Sequence, residues 1–182
     1  MNYPKNYEWL SSVGQLPKLL TEFLSIYGVK EIKGSQHNPI IMGWAKMLGL
    51  KQYTADEIAW CGLAMAWVVK QSGYDVVKDP LWALNWSNFG EKTNTPSLGD
   101  IMVFERRDSA GKFIGGHVGV YIAEDKDCYH VLGGNTSDQV MISRILKSRL
   151  KSANRPLFKI GKPNSVKPYQ VAAKGLITTN EA

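Results

Sequence analysis

Soft and imidazole ligands are scarce in this chain, which holds two cysteines and three histidines. They are dispersed as Cys61, Cys128, His37, His117 and His130. That spacing matches no structural or catalytic zinc site, so no metal is expected. Two thiols in a chain made in a reducing compartment are not expected to form a disulfide. No run of about 18 apolar residues occurs, which excludes a membrane-spanning helix. The opening stretch from Met1 to Glu8 has no hydrophobic signal region, so export by the general secretory route is not expected.

Acidic residues nearly vanish toward the end. From residue 141 onward there are nine Lys/Arg and one Asp/Glu, a balance of +8, against −2 for residues 1–140. Such a block can attract an anionic polymer or surface, or it can be a solvated face and soluble tail. It has no interleaved aromatic platform and no DNA-binding motif, which argues against nucleic acid as a partner.

What the chain does have is an apolar fraction of 44% and six tryptophans, enough for one folded domain with a core. Pro17 to Tyr27 carries apolar residues at helical spacing and stops at Gly28. Asn38-Pro39 opens a helix that ends at Gly49, with Asn as N-cap and Pro as first helical residue. A third helix holds Cys61 and ends near Gly73. Pro80 to Phe89 reads as a short helical segment. The pattern then turns to strands over Asp100–Arg106, His117–Ala123, Cys128–Leu132 and Val140–Ile145. Helices first and an antiparallel sheet after make the fold class α+β. The expected organisation is one domain over residues 1–160 and a basic, loosely held tail over 161–182.

Three positions carry the chemistry. Cys61 lies on a helix, His117 on a strand, and Asn135 near the end of the next strand. Thiol hydrolases need these parts: a nucleophile, a base and a polar group that orients the base. A three-residue loop, Asp125 to Asp127, pairs Glu124 with Cys128 and puts His117 directly opposite Asn135, on one face. A two-residue loop instead puts Asn135 opposite Gly116. Glycines at 115, 116, 133 and 134 leave room for a substrate backbone. The same alternation puts Cys128 and His130 on the opposite face, with Val118, Val120 and Ile122, unless a bulge intervenes. His37 falls in a polar loop and reads as a surface residue.

Cys61 has two readings. In an apolar helix a cysteine is most often a small core residue. At a helix N-terminus, or beside an imidazolium, it becomes a nucleophile. Thr54-x-x-Glu57 is a capping-box pattern that would bury Cys61 two turns inside the helix. The nucleophile reading therefore expects a break before Trp60 and a helix that starts near Cys61.

Trp60-Cys61-Gly62, Leu98-Gly99-Asp100-Ile101-Met102-Val103-Phe104, Gly116-His117-Val118-Gly119-Val120 and Gly133-Gly134-Asn135, in that order, resemble the NlpC-like and CHAP (cysteine, histidine-dependent amidohydrolase/peptidase) superfamily. The stretch from Gly28 to Pro39 resembles a subgroup found in phage lysis proteins and secreted bacterial effectors. The resemblance covers residues 20 to 145. It implies a papain-like fold, Cys61 as nucleophile, His117 as general base and Asn135 as the third residue. Trp60, Gly116 and Gly134 would line the substrate cleft, with Trp60 equally readable as a core aromatic. The chain departs from many CHAP proteins in having Gly133 where they have a Glu two residues before an Asn, which leaves Asp138 or Gln139 as alternatives to Asn135.

The implied activity is a cysteine amidase or peptidase cutting an amide bond in the peptidoglycan stem peptide, with no cofactor. Without a signal region it would reach the wall through a lysis pore or a dedicated secretion machine. An effector of this kind would have an acidic inhibitor protein in the producing cell. Two other readings stand beside it: another acyl-transfer enzyme on the same scaffold, acting on an isopeptide, a glutamine or a lipid, and a non-catalytic wall-binding or virion module.

Overall fold

Among the described residues three α-helices precede a six-stranded antiparallel sheet, an α+β architecture. The structure is a computed structural model that describes residues 3–174, 177 and 178. The helices are α1 (Lys18–Ser25), α2 (Pro39–Met47) and α3 (Cys61–Gln71). The strands are β1 (Glu91–Lys92), β2 (Ile101–Arg107), β3 (Phe113–Glu124), β4 (Cys128–Thr136), β5 (Gln139–Leu146) and β6 (Leu150–Arg155). They lie in the order β1-β6-β2-β3-β4-β5.

Local chemistry sets the helix starts. Asn38 accepts the Ile40 N–H at 2.8 Å and Pro39 occupies the first turn of α2, where its missing N–H costs nothing. Residues 54–60 form no helix despite the capping-box pattern. Asp56, fully buried, instead accepts the N–H groups of Ile32 and Asn38 and pairs with the His37 ring at 3.0 Å. Burial alone would raise the Asp56 carboxyl, but the Asn38 and Ile32 N–H groups and His37 hold it below its ordinary value. His37 is thus an exposed residue anchored through its ring to Asp56, and Asp56 spends its carboxylate on a loop instead of a helix cap. The chain bends at Trp60, and α3 begins at Cys61.

Strand alternation splits the core in two. Ile101, Val103, Val118, Val120, Leu132 and Val140 pack with Leu20, Phe23, Leu63 and Val68 of the helices. Met102, Phe104, Tyr121, Val131, Ile145 and Ala153 form a second cluster. The 80–89 segment is a 3-10 turn over Ala83–Asn88, fixed by Trp86 Nε1 donating to the Pro80 carbonyl at 2.9 Å.

The C-terminal segment is tied down along much of its length. Ser165 donates to the Gln15 carbonyl at 2.6 Å, Tyr169 stacks on Trp9 at 4.8 Å, and Tyr169 and Val171 bond to the Glu124 backbone. The part of the expected tail at 175, 176 and 179–182 lies outside the described residues.

The basic block is also used internally. Four of its nine cations pair with acids of the strands and the β3–β4 turn: Arg144 with Asp125, Lys147 with Glu124, Lys151 with Glu105 and Arg155 with Asp100. Charge separated along the sequence is therefore partly neutralised across the sheet. No helix among the described residues is long and apolar enough to cross a membrane.

Candidate active site

Cys61 is the first residue of α3. The first intrahelical bond runs from the Ala64 N–H to the Trp60 carbonyl at 2.9 Å. The N–H groups of the first turn have no acceptor within the helix, and no side chain caps them. They present the positive end of the helix at the thiol. Gly62 is required here: a Cβ on it would sit 2.3 Å from the Pro80 carbonyl oxygen, so only glycine lets residues 80–81 cross the helix start this closely.

His117 pairs opposite Phe104 of β2 and is fully buried. Its Nε2 stands 2.6 Å from the point a Cβ on Gly133 would occupy. The next residue, Gly134, faces α3: a Cβ there would lie 2.6 Å from the Ala64 Cβ and 3.0 Å from the Trp60 ring. Two consecutive glycines thus touch the imidazole on one side and the residues flanking Cys61 on the other. Side chains at either position would push these groups apart.

The β3–β4 ladder differs from the expectation: Glu124 does not pair with Cys128, and the pairing stops short of His117 and Asn135, although the register near Gly119 is the expected one. The turn is one residue longer, closed by the Asp125 N–H to the Cys128 carbonyl, so that Glu124 pairs with Tyr129. An irregularity between Tyr121 and Ala123 absorbs the extra residue, and Gly119 comes opposite Gly133. The ladder ends there. Asn135, buried, adopts a left-handed conformation (φ 55°) where the β4–β5 register shifts between Gly133 and Thr136. Ser137 and Asp138 follow with φ of 48° and 63°, the two positive values of a tight hairpin turn, and Thr136 pairs with Gln139.

Trp60 is fully buried, with its ring 6.2 Å from Trp44 and its Nε1 donating to Glu31 at 3.2 Å. It is a core aromatic that braces the start of α3. Gly134 is buried beneath it, and Gly116 is half-buried against Leu84. Asp138 is partly exposed 3.9 Å from Lys33, and Gln139 starts β5.

Two further residues lie near the site, and the first of them has no sequence signal. Tyr53 is 4% exposed and donates to the Ile58 carbonyl at 3.1 Å. Burial, then the charges of Asp56, Glu31 and Cys61, raise its hydroxyl above the ordinary value. Thr136 is the other. Its Oγ1 is 3.5 Å from the same Gly133 Cβ point that His117 approaches.

Cys128 and His130 belong to a separate network. His130 Nε2 meets Asp125 at 2.9 Å and its Nδ1 meets the Tyr7 hydroxyl at 2.6 Å, while Arg144 donates to Asp125 at 2.7 Å. The carboxylate can only accept, so Nε2 carries the proton and Tyr7 donates to Nδ1 in the neutral ring. Burial pushes the Cys128 thiol up. The Gly99-Asp100 motif is likewise structural: Asp100 is fully buried, accepts the Ser97 N–H and is held by Arg155 through both carboxylate oxygens.

Cys61 is 3% exposed. A cavity of about 370 Å³ borders Thr136, Ser143 and Arg144, and another of about 540 Å³ lies between Gln15, Tyr74 and Lys159. Neither is lined by Cys61 or His117. No protein-family model matches this chain, and no curated protein matches it. The likeness to NlpC-like and CHAP hydrolases rests on the motifs alone.

Proposed function

We propose that the chain is a papain-like thiol hydrolase that cuts an amide bond in the peptide of bacterial peptidoglycan. The observation that carries this reading is the position of Cys61 at the uncapped start of α3, with Gly134 against its helix neighbours Trp60 and Ala64 and the adjacent Gly133 against the His117 imidazole. In this reading the Cys61 thiolate attacks the amide carbonyl. First-turn N–H groups of α3 stabilise the oxyanion. His117 gives its proton to the leaving amine, and water then hydrolyses the thioester. The choice of peptidoglycan rests on the ordered motifs.

The test is mass spectrometry of fragments released from purified sacculi by wild type, Cys61→Ala and His117→Ala. Release by wild type alone supports the proposal, and the fragment masses identify the bond. No release from several wall chemistries counts against the wall substrate.

The burial of both Cys61 and His117 favours a second reading, a non-catalytic wall-binding module in which Cys61 is a core residue. Thiol reactivity separates the two. A catalytic Cys61 alkylates with iodoacetamide at neutral pH far faster than Cys128, whose thiol is raised by burial. Equal, slow labelling of the two favours the binding module.

A further inference from the structure

We propose that Thr136 is the positioning residue for His117, its hydroxyl accepting a hydrogen bond from the imidazole Nε2–H. The bulge at the end of β4 carries the argument. Residues alternate along a strand, so Gly133 and residue 135 would share a side in a regular ladder. The register shift between Gly133 and Thr136 inserts one extra residue, and the left-handed Asn135 is where the chain absorbs it. The next residue therefore takes the side that residue 135 would have had. The two groups are near each other but not bonded in this structure: His117 Nε2 and Thr136 Oγ1 lie 2.6 Å and 3.5 Å from one point above Gly133.

The state of the hydroxyl is a second, independent observation. Thr136 is 1% exposed, and its Oγ1 has no hydrogen-bond partner among the described residues. A buried hydroxyl without a partner is costly and rare and calls for an explanation, and the nearby His117 imidazole is a partner it could take. A threonine suits the task because its β-branched side chain has few rotamers and holds the oxygen in place. An acceptor at Nε2 fixes the tautomer with the proton on that nitrogen and leaves Nδ1 as the basic atom. Asn135 then contributes through its backbone, since asparagine tolerates the left-handed region better than most residues.

The catalytic consequence rests on the thiol-hydrolase reading; the Thr136–His117 pairing does not. The experiment compares Thr136→Val, Thr136→Ser and Asn135→Gly in the full chain. Valine keeps the shape and removes the hydroxyl, serine keeps the hydroxyl, and glycine keeps the left-handed turn. Nitrogen-15 spectra of the imidazoles, with His117 assigned by its loss in His117→Asn, report the tautomer. Iodoacetamide labelling of Cys61 against pH reports the thiol. The expected result is that Thr136→Val shifts the His117 nitrogen signals and lowers the Cys61 labelling rate at neutral pH about tenfold, the worth of one hydrogen bond to an ionisable ring. Thr136→Ser and Asn135→Gly keep both near wild type.

Unchanged His117 signals in Thr136→Val overturn the proposal, whatever Cys61 does. So does a shift in Asn135→Gly larger than in Thr136→Val, which would return the role to Asn135. If Thr136→Val moves the His117 signals while Cys61 labels as slowly as Cys128 and ignores His117→Ala, the pairing stands and the thiol-hydrolase reading falls.

Discussion

His117 Nε2 lies 2.6 Å from where a Cβ on Gly133 would be, closer than any methyl group tolerates. The β4 backbone at this point is therefore a floor on which the imidazole rests. Gly133→Ala must lift the ring or bend the strand. Overpacking of this kind costs about 1–3 kcal/mol. The expected outcome is a lower urea midpoint, displaced His117 ring signals and loss of any Cys61-dependent activity. A variant with wild-type midpoint and unchanged His117 signals would show that the floor is not tight.

Asp100 and Arg155 make a separate prediction, about folding alone. The carboxylate is fully buried, and burial, only partly offset by Arg155 and the Ser97 N–H, raises it above its ordinary value. Arg155→Ala strands that charge between β2 and β6. Removing one partner of a buried pair costs about 3–5 kcal/mol; the partial exposure of Arg155 puts this case at the lower end. Without Arg155 the folded-state value rises further above the unfolded one, so the folded form binds the proton more tightly. The penalty is then largest at neutral pH and shrinks as pH falls toward about 4, where an unfolded aspartate also protonates. Urea titrations of wild type and variant at pH 7 and pH 4.5 check this; equal differences at both values would refute it.

Much of this structure was legible in the residues, for reasons that differ by element. Asn38-Pro39 announced α2 because a cap and a fixed φ act within one turn. The start of α3 at Cys61 was expected from the demands of a nucleophile, against a capping-box pattern at Thr54 and Glu57 that is overridden where Asp56 binds a distant loop. Tertiary hydrogen bonds of that kind leave no local trace. β6, reading Leu-Lys-Ser-Ala-Asn-Arg, has no clean alternation and owes its place to the neighbour it bonds, so it went unseen, as did the two residues of β1 that pair with it. The β3–β4 register near Gly119 was anticipated although the turn length was not, because one added residue in the turn is cancelled by one irregularity in the strand. At the β4 end the signal for a bulge was present: Asn135-Thr136-Ser137-Asp138 holds two residue types that accept positive φ, spaced for a tight turn preceded by a bulge. That pattern favours Thr136 over Asn135 as the residue on the His117 side.

The network of Tyr7, His130, Asp125 and Arg144 gives the pH dependence of folding. Burial is the main cause that lowers His130 below its ordinary 6.5, with Asp125 working the other way. Asp125 itself is favoured as the anion: burial opposes this, but Arg144, the Asp127 and Cys128 N–H groups and His130 outweigh it and hold it far below the usual carboxylate range. Burial pushes the Tyr7 hydroxyl up to about 12, so it remains a donor throughout. As pH falls below about 6.5 the unfolded His130 takes up a proton before the folded one does, and stability falls with it. The Asp125 contribution persists to lower pH and is lost only below about 4, as its unfolded form protonates first. Wild type should therefore lose stability in two steps, one beginning near pH 6.5 and one below pH 4. His130→Gln keeps a polar side chain in the network but cannot titrate. Its urea midpoint should be lower than wild type at pH 7, and its slope between pH 7 and pH 5 flatter. A variant with the same slope as wild type would assign that step to another group.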